Sequence, residues 1–228
     1  MARTAAVFFD VDFTLIYPGP RFQGSGYQAS CARRNVQVDV SRFDTAVAGA
    51  AAILDEAAET YDPALYYGYT QRIIELMGGT GPDVPLVARD IYDDWAEHHH
   101  FSLYDDVPGA LRALRDRGVR IGLISNSHRC LTSFQSHFDL DGLIAVAISS
   151  SEHGVMKPHP EIFRAGLELM GVSAHEAAMV GDSLAHDVAG ARGVGMRGIW
   201  LARGERRHAP DPDVTVITSL DELPGIIA

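Results

Sequence analysis
The sequence predicts an α/β protein: a parallel sheet with helices on both faces, interrupted by an all-helical insert. Three observations lead there. Short apolar runs alternate with helical stretches through the second half of the chain, the pattern of a parallel sheet covered on both sides. The region between the first apolar run and the second lacks convincing strands. The polar residues suited to chemistry directly follow the apolar runs, and ligands bind such sheets at the C-terminal ends of the strands.

The elements follow in order. Residues 5–9, Ala-Ala-Val-Phe-Phe, read as a buried strand ending in Asp10-Val11-Asp12-Phe13-Thr14-Leu15. Residues two apart in an extended chain point the same way, so Asp10 and Asp12 are expected to face one ligand. Two adjacent buried acids are costly without a cation or a shared proton. The plainer alternative is a strand that ends in a solvated turn. The stretch 16–20, Ile-Tyr-Pro-Gly-Pro, reads as a break in the pattern, and Gly24 and Gly26 are expected to keep the following segment flexible. Residues 46–58 are alanine-rich, and 65–77 carry apolar residues at helical spacing. The run 78–82, Gly-Gly-Thr-Gly-Pro, reads as a helix stop, and 87–98 as a further helix. Val107-Pro108-Gly109 opens a helix where alternation begins, with strands expected near 119–124, 144–148, 177–180, 198–201 and 214–217.

Two of those later runs and one proline-bracketed turn carry functional candidates. Residues 119–124 lead into Ser125-Asn126-Ser127, and 177–180 into Gly181-Asp182-Ser183, with Asp187 shortly after. Lys157 sits in the proline-bracketed turn Met156-Lys157-Pro158-His159-Pro160 before a helix. Parallel strands would gather these groups beside Asp10 and Asp12 at one edge. Each residue also has an ordinary role open to it. Ser125 could cap a helix, Lys157 and Asp187 could be surface charges, and Thr14 could steady the acid-bearing loop or cap a first turn.

This ordered set resembles the haloacid dehalogenase-like hydrolase superfamily. Its four motifs correspond to DxDxT at Asp10–Thr14, the strand-terminal Ser125, Lys157 with its following proline, and GDxxxxD from Gly181 to Asp187. The resemblance covers almost the whole chain. It implies a Rossmann-like catalytic core, residues 1–16 and 103–228, and a helical cap with hinge segments, residues 17–102, inserted after the first motif. One departure is Phe13, where the family usually carries glycine; it puts a bulky ring at the site mouth and bears on substrate size and access.

The implied chemistry is Mg²⁺-dependent hydrolysis of a small phosphate monoester. Asp10 would attack phosphorus and form an aspartyl-phosphate. Asp12 would protonate the leaving alcohol and then activate water. Asp10, Asp182 and the backbone carbonyl of Asp12 are expected as metal ligands. Ser125 and Asn126 would bind the phosphoryl group, Lys157 would offset its charge, and Asp187 and Thr14 would support that set. Alternatives are a phosphomutase, a 2-haloacid dehalogenase, or a catalytically idle binding or regulatory domain. Asp12 and Asp182 argue against the dehalogenase, which needs neither a leaving-group acid nor a metal-binding acid.

Composition agrees with this reading. In 228 residues the chain is 46% hydrophobic, enough for a substantial core. A formal net charge of −11 disfavours nucleic acid as a partner. Two cysteines are too few for a disulfide framework and suit a reducing cytoplasm. Met1-Ala2-Arg3-Thr4 leads directly into the first strand, so no signal peptide is expected there, and no apolar stretch is expected to span a membrane. The run His98-His99-His100 suggests a metal cluster, but adjacent helical histidines point in different directions, so an ordinary role is expected.

Overall fold
Strand β1 (Ala6–Phe9) is wholly buried and pairs in parallel on both edges, with β4 (Arg120–Ser125) and β6 (Ala177–Gly181). The computed structural model describes residues 4–55, 60–204 and 211–227. The outer strands are β5 (Ile144–Ser149), β7 (Arg197–Leu201) and β8 (Thr215–Ile217), giving the parallel order β5-β4-β1-β6-β7-β8. The chain builds outward from β1 on one side, then returns to build on the other. That reversal beside β1 is a topological switch point, the place where loops part and ligands enter.

Side-chain alternation gives the sheet two apolar faces. Phe8, Ile124, Ile148 and Met179 form a buried cluster with Ile162, Phe163, Leu167 and Met170 of a covering helix, Pro160–Met170. That helix has clear local causes. Pro160 occupies its first turn, the His159 side chain accepts from the Glu161 amide at 3.2 Å, and Gly171 ends it at φ 63°. Val7, Phe9, Ile121 and Leu123, equally buried, alternate with that cluster and face the opposite side, where helix Val107–Asp116 packs on β4.

The chain divides into two compact units: Met1–Tyr17 with Leu103–Ala228, and Pro18–Ser102. The second unit carries helices Gly24–Ala32, Phe43–Ala50, Ala52–Asp55, Pro63–Leu76 and Val84–Asp94. Residues 56–58 of the expected alanine-rich helix lie outside the described residues. Helix Pro63–Leu76 stops at the glycine run, with Gly78 at φ 97°. Among the described residues, no helix is long and apolar enough to cross a membrane.

Three expectations change. The stretch at 16–20 is not simply a break: β2 (Ile16–Pro18) pairs with β3 (Phe101–Leu103), two three-residue strands too short to show alternation. Gly24 and Gly26 lie inside a helix, and a Cβ on Gly26 would stand 2.0 Å from the Arg21 carbonyl oxygen. Close backbone approach, rather than flexibility, requires that glycine. The helix expected over 87–98 ends at Asp94, because acids at 93 and 94 oppose the helix dipole and no basic residue sits in the last turn. His98–His100 form a separate single turn, and among the described residues they belong to no potential metal-binding group.

Candidate active site
Register brings the motif residues together. Phe9 pairs with Leu123 on one side and Val180 on the other, so Asp10, Ser125 and Asp182 emerge at neighbouring strand ends. The Asp10 amide donates to the Val180 carbonyl at 2.9 Å, extending the ladder one residue past β1. The strand proper ends before both acids, and a tight turn follows. The amides of Thr14, Leu15 and Ile16 converge on the Val11 carbonyl, and Phe13 adopts φ 62°. That left-handed conformation is natural for glycine and strained for a bulky residue. The Phe13 side chain is exposed.

One ammonium bridges two of the acids. Lys157 Nζ donates to Asp10 Oδ1 at 2.6 Å and to Asp187 Oδ1 at 2.7 Å, with all three side chains largely buried. The carboxylates of Asp10, Asp182 and Asp187 lie within 4.8 Å of one another. Asp187 is further fixed by the Ser183 amide, which donates to Oδ2 at 3.0 Å. It sits on a π-helical turn, Leu184–Ala189, and packs so tightly under Gly181 that a Cβ there would lie 2.1 Å from Oδ2. The Asp182 carbonyl accepts from Trp200 Nε1 at 2.8 Å.

Lys157 is itself held by Asn126. Asn126 Oδ1 accepts from the Lys157 amide at 2.7 Å, and Nδ2 donates to the Lys157 carbonyl at 2.9 Å. The Asn126 side chain thereby braces the backbone of the lysine from both sides. The Lys157–Pro158 peptide is cis. Ser125 is buried, and its hydroxyl donates to Ser127 Oγ at 3.0 Å.

Asp12 takes a different cation: Arg129 Nη2 donates to its Oδ1 at 3.0 Å. Thr14 is buried, and its hydroxyl makes no hydrogen bond among the described residues. Its carbonyl accepts from Arg203 Nη2 at 2.7 Å. Arg203 also forks onto Asp106 at 3.0 Å for each bond and lies over the Tyr104 ring at 3.7 Å. Arg129, Arg203 and Trp200 were not identifiable in the sequence, since no motif or periodicity marks them.

Electrostatics agree with the geometry. Burial drives the Asp10 carboxyl well above its ordinary pKa; Lys157 opposes this, while Asp187 and Asp182 add to it. Asp182 keeps a solvent-facing side, yet crowding by protein and the charge of Asp187 raise its pKa to about 7. Burial works against the Lys157 ammonium, but Asp10 and Asp187 outweigh it and hold its pKa above the ordinary value. Ionised, the three acids carry two more charges than one ammonium can balance. An oxygen-rich, electron-rich site with that surplus, open at Asp182, fits a hard divalent cation such as Mg²⁺.

A model of the haloacid dehalogenase-like hydrolase family matches residues 4–195. The chain is 29% identical over 212 residues to the glyceraldehyde 3-phosphate phosphatase of Pyrococcus abyssi, covering 87% of this chain and 82% of that protein. It is 29% identical over 213 residues to the ribulose-1,5-bisphosphate 5-phosphatase of Halopiger xanaduensis, covering 90% and 88%. Among solved structures, a HAD phosphatase from Thermococcus onnurineus superposes with a TM-score of 0.68 at 25% identity, over 98% of this chain and 97% of its own.

Proposed function
The chain belongs to the haloacid dehalogenase-like hydrolase family, and on that basis we propose that it is a Mg²⁺-dependent phosphatase acting on a small phosphorylated metabolite. The observation that carries this reading is Lys157 between Asp10 and Asp187, with Asp182 completing the acidic group. Such a site offers a nucleophile and charge compensation at one point.

Asp10 attacks phosphorus. An Oδ–P bond forms, the bond from phosphorus to the ester oxygen breaks, and Asp12 gives its proton to the departing oxygen. Asp12, now a carboxylate, takes a proton from water, which attacks the same phosphorus and releases Asp10 and inorganic phosphate. Lys157 fixes the Asp10 carboxylate and offsets phosphoryl charge. The Ser125 hydroxyl and the backbone at Asn126 bind phosphoryl oxygens. Asp10, Asp182 and the Asp12 carbonyl would hold Mg²⁺, which would neutralise charge on the transferring group. Asp187 stays committed to Lys157 and the Ser183 amide. The inserted helical unit, 18–102, is assigned substrate selection, and the paucity of cysteine suits a cytoplasmic setting. Asp12 and Asp182 favour phosphoryl transfer over halide displacement at carbon.

The test is phosphate release from a panel of sugar, nucleotide and small carboxylic acid phosphates, with chelator and with Mg²⁺ added back. Activity should vanish on chelation and return with Mg²⁺, and Asp182→Asn should raise the Mg²⁺ requirement at least ~10-fold. Full turnover after exhaustive metal removal would contradict the metal assignment. Phosphate passed to a second hydroxyl instead of water would point to a mutase.

Phe13 provides a separate check. A left-handed residue costs about 1–2 kcal/mol, and glycine returns about 0.4–1 kcal/mol of that through the unfolded chain. Phe13→Gly should therefore unfold at the parental temperature or slightly above, while Phe13→Val should be less stable. With the ring removed, kcat/KM across a graded size series should flatten toward larger esters. An unchanged ranking would leave Phe13 no part in substrate access.

A further inference from the structure
Arg129 is a fully buried charged side chain, with 0% exposure. It lies in the loop between β4 and helix Leu131–His137, four residues beyond Ser125. Because β4 neighbours β1, that loop comes back over the turn that follows β1, and Arg129 Nη2 reaches Asp12 Oδ1 at 3.0 Å across 117 residues of sequence. A guanidinium is charged at every accessible pH, and burying it is costly even with a partner. Buried ion pairs contribute little net stability compared with apolar packing, so the stability of this pair does not explain its presence. Its geometric effect does. The turn at 11–16 fixes the Asp12 backbone but makes no bond to its carboxylate, and the bond from a rigid, planar donor in a packed interior restricts how that carboxylate can turn. The acids are divided between two cations: Lys157 holds Asp10 and Asp187, and Arg129 holds Asp12.

We propose that Arg129 is a positioning residue that aims the Asp12 carboxyl at the leaving-group oxygen of the substrate. The inference rests on the reading of Asp12 as general acid. It predicts a signature that a structural role would not produce. An alkoxide leaving group needs the proton; a nitrophenolate does not. The quantity to compare is kcat/KM, which reports steps up to release of the alcohol and is insensitive to the later attack by water.

The experiment measures kcat/KM for glycerol phosphate and p-nitrophenyl phosphate, with Mg²⁺ present, in the parent, Arg129→Met, Arg129→Lys and Asp12→Asn. Arg129→Met should lose on the order of 100-fold on the alkyl ester and less than about threefold on the aryl ester. Arg129→Lys keeps a buried cation, guards against misfolding of the Met variant, and should fall between parent and Met with the same selectivity. Equal losses on both esters in a folded Arg129 variant, with Asp12→Asn selective, overturn the inference alone. A non-selective Asp12→Asn overturns the reading of Asp12 and the inference with it.

Discussion

Asp10→Asn is expected to fold as the parent does and to lose phosphatase turnover by ~10,000-fold or more. The amide matches the carboxylate in shape but is a far weaker nucleophile, so no aspartyl-phosphate can form. Folding should survive because Lys157 keeps its bond to Asp187 at 2.7 Å, and the acidic group loses a charge it holds only against burial. Metal-free Asp10→Asn should therefore be at least as stable as the parent. The measurements are steady-state phosphate release, thermal unfolding in chelator, and acid-quenched capture of labelled phosphoenzyme, which the parent should show and the variant should not. A folded variant with near-parental turnover would remove Asp10 as the nucleophile.

Lys157→Met should have the second-largest effect, on stability as well as rate. The substitution keeps length and apolar bulk but leaves Asp10 and Asp187 buried without their cation. Breaking a buried pair in this way costs about 3–5 kcal/mol. The loss should depend on pH, with a definite sign. The folded pKa of Asp10 already lies above its unfolded value, and removing Lys157, which lowers it, raises it further. A carboxyl raised in the folded state binds more protons folded than unfolded. Its contribution is complete below the unfolded value near pH 4 and is lost as pH rises through the folded pKa. Asp182, at about 7, behaves likewise. Lys157 itself stays charged from pH 5 to 8, so the parent gains no compensating slope from it. The deficit of Lys157→Met, measured by urea unfolding in chelator, should thus be greatest at pH 8 and shrink toward pH 5. A deficit under ~1 kcal/mol at pH 8, or one that does not change with pH, would show that the ammonium does not compensate these acids.

The sheet and the main chemical residues were legible because their signals are local. Hydrophobic runs located all six core strands to within one residue at each end. Asp10, Asp12, Ser125 and Asp182 each follow an apolar run, Lys157 sits in a proline turn, and parallel topology then gathers strand ends without further information. Phe13 was conspicuous as a bulky residue in the acid-bearing turn; only its φ of 62° supplies the reason glycine would suit that place. Nothing in the sequence marks the β2–β3 pair, because three-residue strands have no period to read. No sequence pattern marks the close approach at Gly26, because the atom a Cβ there would meet, the Arg21 carbonyl oxygen, is placed by how the helix begins.

By itself, then, the sequence determined the order of strands and helices, the all-helical insert and the acids, hydroxyl and lysine at the sheet edge. These follow from burial and backbone preference, which act over a few residues. Only the tertiary structure decided what each group is bonded to: Asn126 bracing the Lys157 backbone, Trp200 holding the Asp182 carbonyl, Arg203 gripping Thr14, and Arg129 facing Asp12. Hydrogen bonds and ion pairs act over about 3 Å in space and are indifferent to separation along the chain. A partner 18, 31, 117 or 189 residues away leaves no periodic trace in the sequence, and becomes visible only once the sheet has brought the two loops together.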